Sequence, residues 1–310
     1  MSPVRGRDRF KGSRRGLVAV AAALIVAADA SAIAILEPAE SLAAQQPAAT
    51  KTVPAASSAT ELTAQMSATD ALEPRLLTPV HYAWVRPAVV NVWEKTTSPR
   101  PVDRITMTAT PDMRTWVHRL TIALRLDLNG RLMTQALHGD RVAVIQSGRG
   151  WSLIRLESQT GGAFPRGIIG YIPSVQLSNS PIARPRAGVH SAATAITVAK
   201  RYLGVSYLWA GMSSYGIDCS GLSYMAYRAA GVTLPRDAAD QALIGMPVGS
   251  RHLLPGDLVF FGRGARTNIH HVGIYLGRGL VLHAPHTGSW VRVSPLSAWS
   301  DYWGARRIIR

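Results

Sequence analysis

A chain of 310 residues with 47% apolar content can bury the cores of two domains. One cysteine in that length cannot form an internal disulfide, so a disulfide-stapled scaffold is excluded. The formal charge of +16 calls for an anionic partner. Nucleic acid is disfavoured, because the basic residues concentrate at the extreme N-terminus or lie scattered, without an aromatic-basic motif. An anionic cell envelope fits the same charge.

The first 44 residues read as an export signal. Arg5, Arg7, Arg9, Lys11, Arg14 and Arg15 precede an apolar run from Leu17 to Ala28, and small-residue cleavage sites follow at Ala28-Asp29-Ala30, Ala30-Ser31-Ala32 and Leu42-Ala43-Ala44. Ser13-Arg14-Arg15-Gly16-Leu17-Val18 resembles a twin-arginine signal. A retained membrane anchor is the alternative, and it is the only membrane contact the sequence suggests. Asp29 weakens it, since a carboxylate inside a span costs roughly 2.5–3.5 kcal/mol. Export predicts an extracytoplasmic protein, secreted or wall-associated. In such an oxidising compartment a lone thiol is a liability unless it is used. Residues 45–79 are rich in Ala, Thr, Ser, Gln and Pro and read as a disordered linker.

Over residues 80–178 short β-like runs alternate with turns: Val89 to Trp93, Arg141 to Gln146, Trp151 to Leu156 and Ile168 to Pro173, with a turn at Ser147 to Gly150 and a helix from Asp112 to Thr121. The run from Leu137-His138-Gly139-Asp140 through Gly150-Trp151 to Gly170-Tyr171-Ile172 resembles a bacterial SH3-like domain, a small all-β barrel. Trp93, Trp151 and Tyr171 are expected in its core rather than as a ligand platform. Residues 179–188, with two prolines, form a linker.

Residues 189–310 change character. A helix from Ser191 to Leu203 is followed by Gly216-Ile217-Asp218-Cys219-Ser220-Gly221-Leu222, where Asp218 is an N-cap and Leu222, Met225, Ala226 and Ala229 recur at helical spacing. Cys219 then sits in the first turn, where orphan N–H groups and the helix dipole favour a thiolate. A short helix through Gln241 and strands at Leu258 to Phe261, Ile269 to Leu276, Leu280 to Ala284, Trp290 to Val293 and Ala305 to Ile309 complete an α+β pattern. Strand alternation puts His271 on one face and His270 on the other, among apolar partners or at the edge. If the turn over Gly277, Arg278 and Gly279 takes all three residues, Leu276 opposes Leu280 and Gly273 opposes His283. His271 and His283 then become diagonal neighbours, roughly 7–8 Å apart at the backbone.

A nucleophile at a helix N-terminus, a base on a strand and a polar group beside the base is what cysteine acyl transfer needs. Cys219 attacks a carbonyl, His271 forms the ion pair that holds the thiolate and then protonates the leaving amine, and His283 orients His271. The Cys219 backbone N–H is a candidate oxyanion donor. His270 and His286 are expected to be structural.

This region resembles the NlpC/P60 family of cell-wall cysteine peptidases. The motifs stand in order as Tyr207-Leu208-Trp209-Ala210-Gly211, Asp218-Cys219-Ser220-Gly221, Leu234-Pro235-Arg236, Gln241, Pro255-Gly256-Asp257-Leu258, His271-Val272-Gly273-Ile274-Tyr275 and His283-Ala284. The resemblance implies a papain-like fold, with N-terminal helices packed on an antiparallel sheet. It implies hydrolysis of peptidoglycan stem peptides at the γ-D-glutamyl–diamino-acid bond, with no metal or cofactor. It also implies that Tyr207 lies beside the oxyanion site and that Asp218 and Ser220 help recognise substrate. Ala210 departs from the family, which usually has Gly after Trp, and its methyl could reshape the loop holding Tyr207. Two other readings compete: a zinc hydrolase built from His271, His283, His286 and Asp257, which leaves Cys219 without a role and lacks HExxH-type spacing, and a non-catalytic or autoinhibited wall-binding protein.

Overall fold

In the computed structural model, which describes residues 78–310, runs of β-branched residues build the first sheet. Its strands are β1 (His81–Val85), β2 (Val89–Trp93), β3 (Leu132–Leu137), β4 (Arg141–Gly148), β5 (Trp151–Leu156), β6 (Ile168–Pro173) and β7 (Leu177–Ser178), in the spatial order β3-β2-β6-β5-β4-β1-β7. Every pairing among them is antiparallel. The export signal and nearly all of the linker expected before residue 80 lie outside the described residues. Strand β4 runs further than its apolar stretch, and the reversal narrows to Arg149 and Gly150, both at positive φ, with Gly148 opposite Trp151. That is the geometry of a two-residue hairpin matching strand twist.

One face of this sheet buries Val85, Val90, Val92, Val142, Val144, Ile154, Leu156 and Ile172. On the other side Trp93 packs against an insertion between β2 and β3, which holds α1 (Met113–Arg119, capped by Asp112) and α2 (Ile122–Leu126, capped by Thr121). Trp93 and Trp116 are fully buried, and Trp151 and Tyr171 pack partly buried on the same cluster. Leu208 and Ala210, from the chain just ahead of Cys219, join that cluster too. The insertion therefore ties the first sheet to the segment that precedes the thiol.

The second half contains α3 (Ala192–Lys200), β8 (Met212–Ser213), β9 (Gly216–Ile217), α4 (Cys219–Ala229), α5 (Ala238–Gln241), β10 (Met246–Val248), β11 (Leu258–Gly262), β12 (Ile269–Gly277), β13 (Leu280–His283), β14 (Arg292–Pro295) and β15 (Tyr302–Arg307). The last six strands form an antiparallel sheet in the order β10-β15-β11-β12-β13-β14. Helix α4 lays Leu222 and Ala226 on this sheet against Phe260, Val272 and Ile274.

Three details differ from the expectations drawn from sequence. Gly277, not Leu276, opposes Leu280; Leu276 is taken up in a bulge, and the turn shortens to Arg278 and Gly279. Trp290 and Val291 are spent pairing with Ser206 and Val205, so β14 begins at Arg292. The final strand begins at Tyr302 and stops at Arg307, whose partner Met246 is the first residue of β10.

Residues 179–190 carry no regular structure but are held in place, with Arg184 donating to the Gly139 carbonyl at 2.9 Å and Gly188 N to the Ala229 carbonyl at 2.7 Å. Further bonds join the first sheet and its loops to α4 and β8. Tyr224 donates to the Ser158 carbonyl at 2.6 Å, Arg228 pairs with Asp140 at 2.8 Å, and Met212 N donates to Gln135 Oε1 at 2.9 Å.

Candidate active site

Asp218 caps α4, its carboxylate accepting the Gly221 N–H at 2.6 Å, and this sets Cys219 as the first residue of the helix. Gly221 has to be glycine, because a Cβ there would collide with the Gly211 carbonyl. Helix α4 rests on β12, and the amides of Val272 and Ser220 lie at the Cys219 sulfur.

The register of the sheet brings the histidines together. Phe261 lies opposite His271 across β11 and β12. On the other side a Cβ on Gly273 would touch the His283 Cβ, so Gly273 leaves room for the diagonal approach of His283 to His271. The two rings meet, with His271 Nε2 2.9 Å from His283 Nδ1, and His283 Nε2 is 2.9 Å from Ser294 Oγ on β14. Trp299 stacks on His271 at 4.8 Å between ring centres and 11° between planes, and it meets His283 edge-on at 5.3 Å. Phe261 lies 5.5 Å from His271 on the same aromatic wall.

This wall governs protonation. Burial, with a smaller repulsion from His283, pulls His271 well below its ordinary pKa. Burial, then the charge of Arg292, takes His283 down to about 3. Burial, then the Asp218 charge, pushes the Cys219 thiol up to about 12, against the opposing pull of the Val272 amide and Arg236. Burial thus favours the neutral thiol and the neutral imidazoles, and opposes the thiolate–imidazolium pair expected from the helix N-terminus.

The other residues to which the sequence pointed fall into two groups. Tyr207 is 7% exposed, and its phenol is pushed well above its ordinary range by burial and by the charges of Cys219 and Asp218, so it stays a neutral donor beside the thiol. Asp218 and Ser220 are buried, and both are gripped by Arg236, whose guanidinium reaches Asp218 Oδ2 at 2.6 Å, Asp218 Oδ1 at 3.1 Å and Ser220 Oγ at 2.9 Å. His270 is neither among apolar partners nor on an edge strand; it is exposed on β12, inside the sheet order, and sits 2.7 Å from Asp301 Oδ2. His286 is turned to the Thr287 carbonyl, and Asp257 is held by Arg307 at 2.8 Å. The set considered for zinc is not assembled, and among the described residues no three His, Cys, Asp or Glu side chains are grouped as a metal requires.

Sequence reasoning missed Ser294 and Trp299. Ser294 could have been found only from the register of β13 with β14, which the expected start of that strand at Trp290 misplaces. Trp299 lies beyond the strand in an irregular segment and carries no local signal.

Comparison with known proteins gives a consistent result. The NlpC/P60 family model matches residues 204–308. The gamma-D-glutamyl-L-lysine dipeptidyl-peptidase of Bacillus subtilis strain 168 is 30% identical over 275 residues, covering 68% of this chain and 92% of that protein. A murein DD-endopeptidase of Escherichia coli K12 is 38% identical over 116 residues, which cover 34% of this chain and 42% of that one. The crystal structure of an NlpC/P60 family protein from Bacillus cereus ATCC 10987 superposes with a TM-score of 0.68 at 25% identity, covering 74% of this chain and all of that one.

Proposed function

Because the chain belongs to the NlpC/P60 family and is a peptidoglycan-hydrolysing peptidase, we propose that it is an exported cysteine endopeptidase using Cys219, His271 and His283. The bond it cuts is the one between γ-D-glutamate and the diamino acid of the stem peptide. The observation that carries this reading is the line Ser294–His283–His271 on the sheet beneath the helix that Cys219 heads. The choice of bond rests on the name of the Bacillus subtilis relative, 92% of which this chain spans. The upstream sheet is proposed to be an SH3-like barrel, supported by its short antiparallel strands and its single valine-rich interior. The domain limits proposed are 80–178 and 189–310, as the sequence suggests.

The chemistry follows from the tautomers. With a proton on His271 Nε2, donated to His283 Nδ1, and one on His283 Nε2, donated to Ser294 Oγ, His271 Nδ1 is the nitrogen that accepts a proton. Cys219 Sγ–H gives its proton to that nitrogen as sulfur attacks the γ-carbonyl carbon, so the ion pair forms during attack rather than before it. The first-turn N–H of Cys219 and the neutral Tyr207 hydroxyl stabilise the oxyanion. His271 then protonates the departing amine, leaving a thioester. Water, deprotonated by His271, hydrolyses it and returns the thiol. Asp218 and Ser220 flank the nucleophile in the grip of Arg236, so their contribution to substrate recognition is indirect, through the first turn that they hold.

The basic chain is proposed to associate with anionic wall polymers, and this association weakens as salt rises. Mass spectrometry of peptidoglycan and of stem peptides after incubation with the protein tests the enzyme reading. New termini at the γ-D-glutamyl–diamino-acid bond, absent with Cys219→Ala, support it. Cleavage at another bond overturns the substrate assignment, and activity in Cys219→Ala overturns the mechanism.

A further inference from the structure

The upstream sheet reaches the nucleophile helix through a buried side chain. Arg236 is 2% exposed, and three of its four side-chain hydrogen bonds fall on Asp218 and Ser220, the two residues flanking Cys219. The fourth runs the other way, from Arg236 Nε to Thr134 Oγ1 on β3 at 3.0 Å, across 102 residues of sequence. Thr134 is fully buried, and its hydroxyl passes its own proton to Gln159 Oε1 at 2.5 Å. The Gln159 amide in turn donates to the Gln135 carbonyl on β3 at 2.8 Å. The Arg236 main chain is fixed to the same region, its N–H donating to the Thr160 carbonyl at 2.7 Å.

A guanidinium is a rigid plane, so fixing the direction of its Nε–H fixes how its fork meets a carboxylate. Among the side chains available at Thr134, a hydroxyl can accept from Arg236 and donate to Gln159 at once, which valine of the same shape cannot do. We propose that Thr134 is a positioning residue for the nucleophile: by orienting Arg236 it holds Asp218 and Ser220, and so the first turn of α4, in the reactive arrangement. The upstream sheet is then part of the catalytic machinery rather than a tether for it. This rests on Cys219 being the nucleophile. It also has an electrostatic consequence, because Arg236 is the cation that opposes the Asp218 charge at the thiol.

The test compares Thr134→Val, Thr134→Ser and Tyr224→Phe in the otherwise intact protein. Readouts are kcat and KM on a stem peptide and the pH profile of Cys219 alkylation by iodoacetamide. Tyr224→Phe is the control: it removes another bond between the same helix and the upstream segment, the one to the Ser158 carbonyl, without touching Arg236. Thr134→Val is expected to lower kcat about ten-fold, the scale of a lost hydrogen bond to a charged group, with KM changed less than about two-fold. Its alkylation profile moves to higher pH. Thr134→Ser restores both, and Tyr224→Phe lowers the melting temperature without moving the profile.

A folded Thr134→Val with unchanged kcat and profile overturns the proposal. So does a Tyr224→Phe profile displaced as far as that of Thr134→Val, which would assign the effect to a loosened contact between the sheets. Should Thr134→Val fail to fold, Gln159→Met keeps the hydroxyl but removes the acceptor that orients it, and is read by the same two outcomes. Turnover in Cys219→Ala would remove the nucleophile assignment itself; turnover that needs Cys219 but ignores Thr134 removes only the positioning role.

Discussion

Two buried polar systems flank Cys219, and burial has opposite consequences in them. On the sheet side, His271 and His283 line up with Ser294 under Trp299, with no carboxylate in the line, and both imidazoles are driven toward the neutral form. On the helix side, Arg236 is as deeply buried, yet its pKa lies above the ordinary value. Burial pulls it down, and the Asp218 charge and hydrogen bonds more than offset this. Depth alone does not decide charge; a matched partner does. The neutral side is thereby able to take a proton at neutral pH. The charged side holds a fixed geometry through its paired guanidinium and carboxylate.

Breaking the neutral side should have the largest effect on turnover. Cys219→Ala and His271→Ala are each expected to lower kcat on the order of 10^4-fold or more, because each removes a group that bonds to or exchanges protons with the reacting atoms. His283→Ala should leave a measurable remainder, with a loss on the order of 10^2- to 10^4-fold, since it acts by orienting His271. Steady-state turnover on a stem peptide ranks the three. A His283→Ala as inactive as His271→Ala would mean that the second ring does more than orient the first.

Breaking the charged side should show first in stability. Arg236→Met leaves the Asp218 carboxylate buried without its partner, and the expected loss is about 3–5 kcal/mol in urea unfolding. A loss below about 1 kcal/mol would show that the pair is as solvent-relieved as a surface ion pair.

Acid should separate the two systems. A histidine whose pKa is lowered by folding binds its proton more readily in the unfolded chain. Its contribution to stability is therefore complete above about pH 6.5 and is lost as pH falls toward the folded value, about 3 for His283. Across that window His283 removes about 1.4 kcal/mol per pH unit. The Cys219 thiol works in the other direction, its contribution intact below about pH 9 and declining toward 12. Urea midpoints between pH 3 and 7 for wild type and His283→Asn check the acid limb. Equal slopes in the two proteins would show that His283 titrates as it does in the unfolded chain.

How much of this is legible in the sequence follows the range of the interactions. Asp218 as a cap, Cys219 in the first turn and His271 facing His283 are local or pairwise consequences of helical and strand periods, and the sequence carries them. Bulging of Leu276 and the late start of β14 depend on what the neighbouring segments pair with, which no local pattern records. The partnership of Thr134 with Arg236 spans 102 residues and two sheets. Protonation escapes the sequence for a similar reason. A helix dipole can be inferred from a cap, but the desolvation that opposes it comes from long-range packing: Trp299 and Phe261 on His271, and α4 on β12.

The smallest expected effect concerns the residue that departs from the family pattern. Ala210 adopts φ +62°, in the left-handed region, where an alanine costs roughly 1–2 kcal/mol. The residue is 4% exposed and packs in the cluster that joins Trp93 and Trp116 of the upstream half to Leu208. Ala210→Gly relieves the strain but loses about 0.8 kcal/mol of methyl burial and about 0.4–1 kcal/mol through the greater freedom of the unfolded chain. These terms nearly cancel, so the unfolding free energy should move by no more than about 1 kcal/mol in either direction, with kcat unchanged. A clear stabilisation would mean that the methyl fits its cluster poorly and that the loop carrying Tyr207 is held against its own preference. A clear destabilisation would mean that the contact between the two halves is worth more than the strain, and that the alanine is one more way the upstream sheet grips the segment ahead of the thiol.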